Sequence, residues 1–123
     1  MTGLRRPLLA AVTASLAAAS GCGHTQRLPG SRTLYVGLTE YRLLPESALL
    51  TAGPLTVFAH NYGWLAHNLV ISRSGQPAAA TRAILPGQTT ELTLTVTPGT
   101  YLMASTILSD QTLGEYGTLR VTF

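Results

Sequence analysis

From Thr33 onward, apolar and polar residues alternate with a period of two, the pattern of strands that bury one face and expose the other. Leu34, Val36 and Leu38 alternate with Tyr35, Gly37 and Thr39, and Thr56 opens TVFAHN, a run rich in β-branched and aromatic residues. Gly53-Pro54, Pro86-Gly87 and Pro98-Gly99 are turn signals, each flanked by strand-like runs. The pattern predicts about seven strands, at 34 to 41, 48 to 51, 55 to 61, 67 to 72, 88 to 96, 100 to 105 and 117 to 123. Short strands at this spacing predict an all-β chain folded as an antiparallel β-sandwich. The one helical candidate is the alanine-rich QPAAATRAIL, from Gln76 to Leu85.

A different pattern occupies the start of the chain. Arg5 and Arg6 precede an apolar run from Leu8 to Ala19, and the small residues Ser20 and Gly21 lead to Cys22, which together read as an export signal. The apolar run is well short of the roughly 20 residues that span a bilayer as a helix, so a permanent transmembrane anchor is not expected. Ala19-Ser20-Gly21-Cys22 resembles the lipobox at which bacterial prolipoproteins are lipidated and cut. The resemblance implies a lipoprotein signal peptide at 1–21 and an acylated Cys22 as the new N-terminus, where two acyl chains give stable membrane attachment. Residues 22–32 are then expected to be the lipidated cysteine and a flexible tether, polar and interrupted by Pro29 and Gly30, with His24 a solvated spacer. Residues 33–123 form the single domain.

Charge changes the picture little. The formal charge is +3, but Arg5 and Arg6 leave with the signal, and the remaining six arginines face five acidic residues. No basic patch suggests nucleic acid as a partner. One cysteine permits no internal disulfide.

Several short stretches, taken in order, resemble a cupredoxin, the small blue-copper sandwich. EYRLLP runs from Glu40 to Pro45, and Asn61-x-Gly63 is followed by His67 and Asn68 in a G-x-x-x-H-N pattern. LPGQT at 85 to 89, PGTY at 98 to 101 and GTLRV at 117 to 121 complete the set. The resemblance spans Leu34 to Phe123 and implies a Greek-key sandwich in which His67 stands at the first copper ligand. It also implies that Ser105, Asp110 and Glu115 stand where the family has a Cys-x4-His-x4-Met loop. A blue-copper site needs two imidazoles, a thiolate and a weak axial thioether. The expectation is therefore a degenerate copper site and no blue-copper electron transfer.

Three readings of the remnant follow. In the first, His67, Ser105, Asp110 and Glu115 form a structural hydrogen-bonded cluster that holds no cofactor, and the chain is a non-enzymatic binding or scaffold module of the cell envelope, on the outer face of the membrane. Its partners are then membrane lipid, through Cys22, and a membrane-proximal protein met by Tyr62, Trp64 and Leu65. In the second, one imidazole and two carboxylates (His67, Asp110, Glu115) hold a hard-ligand ion such as zinc, manganese or non-blue copper(II). His60 is expected to face outward by its alternation with Asn61. In the third, Ser105, His67 and Asp110 serve as nucleophile, base and orienting acid, although no nucleophile turn or oxyanion donor set accompanies them.

Overall fold

The computed structural model of the protein describes residues 25–123. The expected signal peptide, Cys22 and His24 lie outside the described residues. The described residues form ten strands in chain order: β1 Gln26–Arg27, β2 Thr33–Thr39, β3 Arg42–Leu44, β4 Ser47–Thr51, β5 Gly53–Asn61, β6 Val70–Arg73, β7 Gln76–Ala80, β8 Thr89–Val96, β9 Gly99–Ala104 and β10 Tyr116–Thr122. They pair as a six-stranded sheet, β1-β4-β10-β9-β6-β7, and a four-stranded sheet, β3-β2-β5-β8. The expected β-sandwich is the observed one. Its pairing is mixed, however, because β1 with β4, β4 with β10, and β2 with β5 run parallel. The reason is a crossing: after the β2–β3 hairpin the chain passes through Pro45 and Glu46 into the other sheet as β4, then returns as β5 beside β2.

The period-two pattern sets the core. Leu34, Val36 and Leu38 of β2 face inward, as do Leu55, Val57 and Ala59 of β5, and meet Ile71, Met103, Leu119 and Val121 from the opposing sheet. Each fully buried leucine or isoleucine stabilises the fold by roughly 1.5–3 kcal/mol relative to exposure. Two glycines are required by space and backbone respectively. At Gly117 an added Cβ would lie 2.8 Å from the Glu46 carbonyl oxygen, where β10 passes under the crossing segment. Gly87 adopts φ +83° in the turn between Leu85 and Gln88.

Two expectations are corrected. The alanine-rich stretch from Gln76 forms no helix: residues 76–80 are edge strand β7, paired with β6. Ser74 and Gly75, both with positive φ, close a tight turn that delivers the segment onto the open edge of β6. Five residues are too few to sustain a helix against a ready-made ladder, and Pro77 is tolerated because the strand is an edge. Nor are residues 25–32 of the expected tether free of the domain. β1 pairs with β4, Leu28 packs against the core, and Arg32 donates to the Thr51 carbonyl at 2.6 Å and to Thr51 Oγ1 at 2.9 Å.

Because backbone rather than a flexible side chain faces Gly117, Gly117→Ala is expected to destabilise the fold by about 1–3 kcal/mol. Leu38→Ala should cost about 2–5 kcal/mol. Chemical denaturation measures both; a Gly117→Ala midpoint equal to wild type would show that the crossing segment yields freely.

Candidate functional site

The end of the sandwich where β2, β5, β9 and β10 turn over carries a cluster of buried polar groups. Its scaffold is Asn61, the last residue of β5, whose side chain donates to the carbonyls of Leu65 at 2.8 Å and Ile84 at 2.7 Å and accepts from the Gly63 N–H at 2.8 Å. The loop after β5 is thereby fastened to the 84–88 segment. His67 continues the attachment through reciprocal backbone bonds with Ile84. The imidazole that follows is completely buried.

Residues 105–115 supply the other side. The Ser105 N–H donates to the Glu115 carbonyl at 3.1 Å, closing the neck of the loop, and the Glu115 N–H donates to the Asp110 carbonyl at 2.9 Å. Start, middle and end of one loop are thus drawn together beneath His67. Nδ1 of His67 lies 2.9 Å from Asp110 Oδ2 and 3.1 Å from Glu115 Oε1. The Ser105 hydroxyl donates to Asp110 Oδ2 at 2.7 Å and accepts from the Asn68 N–H at 3.1 Å. All four residues named from the sequence, His67, Ser105, Asp110 and Glu115, therefore converge and are buried. A donor atom from each of His67, Asp110 and Glu115 lies within 4.8 Å of the other two, a group that could hold a metal ion.

Sequence reasoning missed Glu40. Its carboxylate lies 2.8 Å from His67 Nε2, on the far side of the ring from Asp110, and accepts from the N–H groups of Trp64 at 2.9 Å and Leu65 at 3.0 Å. A side chain at Gly63 would run into that carboxylate, so the glycine leaves room for it. A signal was present: Leu34, Val36, Leu38 and Glu40 share one parity, which places an acid at an inward position just beyond the end of a strand. The neighbouring residue completes the clamp, because the Tyr41 N–H donates to Glu115 Oε1 at 3.2 Å. One hairpin connection therefore grips both ends of the cluster.

Both ring nitrogens of His67 face carboxylate oxygens, which the imidazolium form satisfies on both sides. Burial opposes charge on the ring, but the hydrogen bonds to Glu40 and Asp110 and the nearby Glu115 outweigh it and raise its pKa above the ordinary 6.5. Backbone N–H donors, Trp64 first, then the imidazole, hold Glu40 down to about 2. Burial, reinforced by Asp110 and Glu40, pushes Glu115 up to about 7 against the opposing pull of His67 and the Tyr41 N–H. Among the described residues Glu115 Oε2 is buried without a hydrogen-bond partner.

The remaining candidates separate. His60 faces outward as expected, its Nδ1 2.6 Å from Thr89 Oγ1, and takes no part in the cluster. Tyr62 turns onto the outer face of the four-stranded sheet, over Gly37 and beside His60, where Tyr35 and Phe58 help form a groove of about 660 Å³. Trp64 and Leu65 remain at the cluster end, 89% and 53% exposed. The serine–histidine–acid relay of the third reading is not assembled: the Ser105 hydroxyl donates to Asp110, and neither nitrogen of His67 is turned toward it.

Solved structures that superpose on this chain include auracyanins and an azurin. An auracyanin from Roseiflexus castenholzii superposes with a TM-score of 0.72 and 22% identity, covering 77% of this chain and all of its own. The fold is that of the cupredoxins. Auracyanin A from Chloroflexus aurantiacus, described as a "blue" copper protein, has a TM-score of 0.65 and 18% identity over 78% of this chain and 99% of its own. An azurin from Methylomonas sp. strain J, with a TM-score of 0.67 and 15% identity, covers 76% of this chain and all of its own. No protein-family model matches the sequence, and no curated protein matches it significantly. The cupredoxin fold thus rests on backbone geometry, and the chemistry of the site on its own residues.

The titrations set a stability profile. Glu40's contribution is complete above pH 4.5 and is lost as the pH falls toward about 2. That of His67 is complete below 6.5 and is lost as the pH rises through its raised value. Glu115, about 7 in the fold against an ordinary 4.5, costs stability progressively as the pH climbs between those values. Melting temperature should be highest near pH 4.5 and decline above it, with a shallower decline in Glu115→Gln. Circular dichroism melts across the range check this, and a stability that keeps rising to pH 8 would contradict the charge assignments.

Proposed function

We propose that this protein is a membrane-anchored, extracytoplasmic binding or scaffold module on a cupredoxin fold, one that has lost the type 1 copper site and carries no electrons as a blue-copper protein. The observation that carries this reading is Ser105. Its hydroxyl donates to Asp110 at 2.7 Å, in the place where the resemblance to cupredoxins puts a thiolate. Type 1 copper draws its character from a covalent thiolate bond with two imidazoles and a weak thioether. Here the converging donors are one imidazole, one hydroxyl and carboxylates, and residues 25–123 contain no cysteine. The donor set does not fit a type 1 ion. A non-enzymatic role agrees with a serine whose hydroxyl is turned to Asp110 and away from the imidazole.

Anchoring rests on the motif that ends at Cys22, and the outer face of the membrane is where a diacylated cysteine would hold the domain. With β1 and Arg32 fastened to the sandwich, little chain separates Cys22 from the domain, so a partner would be membrane-proximal. Trp64 and Leu65 are the exposed apolar residues suited to meet it, and Glu40 ties their backbone to the buried cluster.

Two measurements test this reading. Full-length protein exposed to copper(II) should develop no intense visible charge-transfer band; a stoichiometric blue chromophore overturns the proposal. Cys22→Ser should move the protein from the membrane fraction to the soluble extracytoplasmic fraction, and unchanged membrane retention removes the lipid anchor.

A further inference from the structure

We infer that the His67 cluster is a binding site for one divalent, nitrogen- and oxygen-preferring cation of the zinc class, with Glu40 as the residue that positions the imidazole. The inference deepens the proposal above, since it rests on the thiolate ligand being absent.

Three independent features of the cluster support it. The first is the orientation of the ring. Glu40, fixed by two backbone N–H groups, occupies His67 Nε2 and leaves Nδ1 pointing at Asp110 and Glu115. A carboxylate on one ring nitrogen fixes the tautomer and raises the basicity of the other, the arrangement that metal-binding histidines use. The second is the charge balance. With Glu40, Asp110 and Glu115 all ionised, an imidazolium leaves the cluster two negative charges in excess. A divalent ion in place of the Nδ1 proton leaves one, and a buried site favours the smaller net charge. The third is the orphaned oxygen. Glu115 Oε2 is buried and unpartnered among the described residues, while its sister Oε1 is already 3.1 Å from Nδ1. An ion at the centre supplies the partner that Oε2 lacks.

The dimensions agree. Bonds of about 2.0–2.1 Å in a tetrahedral shell set neighbouring ligand atoms roughly 3.4 Å apart. The observed 2.9 and 3.1 Å require the carboxylates to move outward by only a few tenths of an ångström. Asp110 lies in the turn-rich loop between β9 and β10, whose neck is the Ser105–Glu115 backbone bond, so that loop can yield without disturbing the sheets. Donor chemistry narrows the ion. One imidazole and two carboxylates suit zinc, and the stability order for such donors places manganese well below it; copper(II), which that order places above zinc, favours a tetragonal rather than a tetrahedral shell. Calcium needs six to eight oxygens and magnesium a near-ideal octahedron, more than this cluster presents.

The test is zinc binding by the full-length chain, followed by calorimetry and by metal content after gel filtration, with a manganese titration alongside. Wild type should retain about one zinc per chain and bind manganese more weakly, following the same donor preference. Zinc affinity should fall at least tenfold in the near-isosteric Glu115→Gln and about 10–100-fold in Glu40→Gln, which touches no ligand position but releases the ring. Zinc should also raise the melting temperature of wild type and leave that of His67→Ala unchanged. If folded wild type retains no zinc, or retains it equally in Glu115→Gln and His67→Ala, the inference fails. A blue copper chromophore would instead sink the underlying loss of the thiolate site, so the two failures are distinguishable.

Discussion

A completely buried imidazole with carboxylates on both sides is the constraint around which this end of the molecule is organised. A charged ring taken out of water destabilises a fold unless its polar atoms are met, and here Glu40 meets one nitrogen while Asp110 meets the other. Each carboxylate must in turn be held. Backbone N–H groups of Trp64 and Leu65 hold Glu40, and the Ser105 hydroxyl holds Asp110. The Tyr41 N–H holds one oxygen of Glu115, and among the described residues nothing holds the other.

That chain of dependencies joins segments far apart in sequence. Glu40 and Tyr41 sit in the two-residue connection of the β2–β3 hairpin, His67 follows the loop fastened by Asn61, and Ser105 to Glu115 is a separate loop closed at its neck. Because the hairpin grips His67 through one residue and Glu115 through the next, the cluster acts as a clasp across the open end of the sandwich. Hydrogen bonds make that clasp.

The same clasp reaches the surface. The carboxylate that positions His67 also fixes the backbone of Trp64 and Leu65, so a highly exposed aromatic residue beside the cluster and a completely buried imidazole share a support. The groove by Tyr35, Phe58 and Tyr62 belongs to a different face and has no such link.

Alternation along β2, β5 and β10 is a local property written into neighbouring residues, so the sandwich and its inward-facing residues were legible without coordinates. His67, Ser105, Asp110 and Glu115 were legible by spacing and resemblance, since a loop that returns on itself brings regularly spaced positions together. What alternation could not express was partnership between distant segments. The β7 stretch carries helix-forming alanines, yet the open edge of β6 captured it, because a ladder satisfies backbone groups that five residues of helix leave bare. Residues 25–32 looked like tether by composition, and only the free edge of β4 made a strand of Gln26 and Arg27. Glu40 continues the inward parity of β2, but only the fold placed its carboxylate against Nε2. By itself the sequence determined which faces are buried and which chemical groups are available, because both follow from side-chain identity and period. Only the tertiary structure decided which of those groups meet, because a hydrogen bond or an ion pair is set by distance through space, and distance through space is fixed by how the sheets pack.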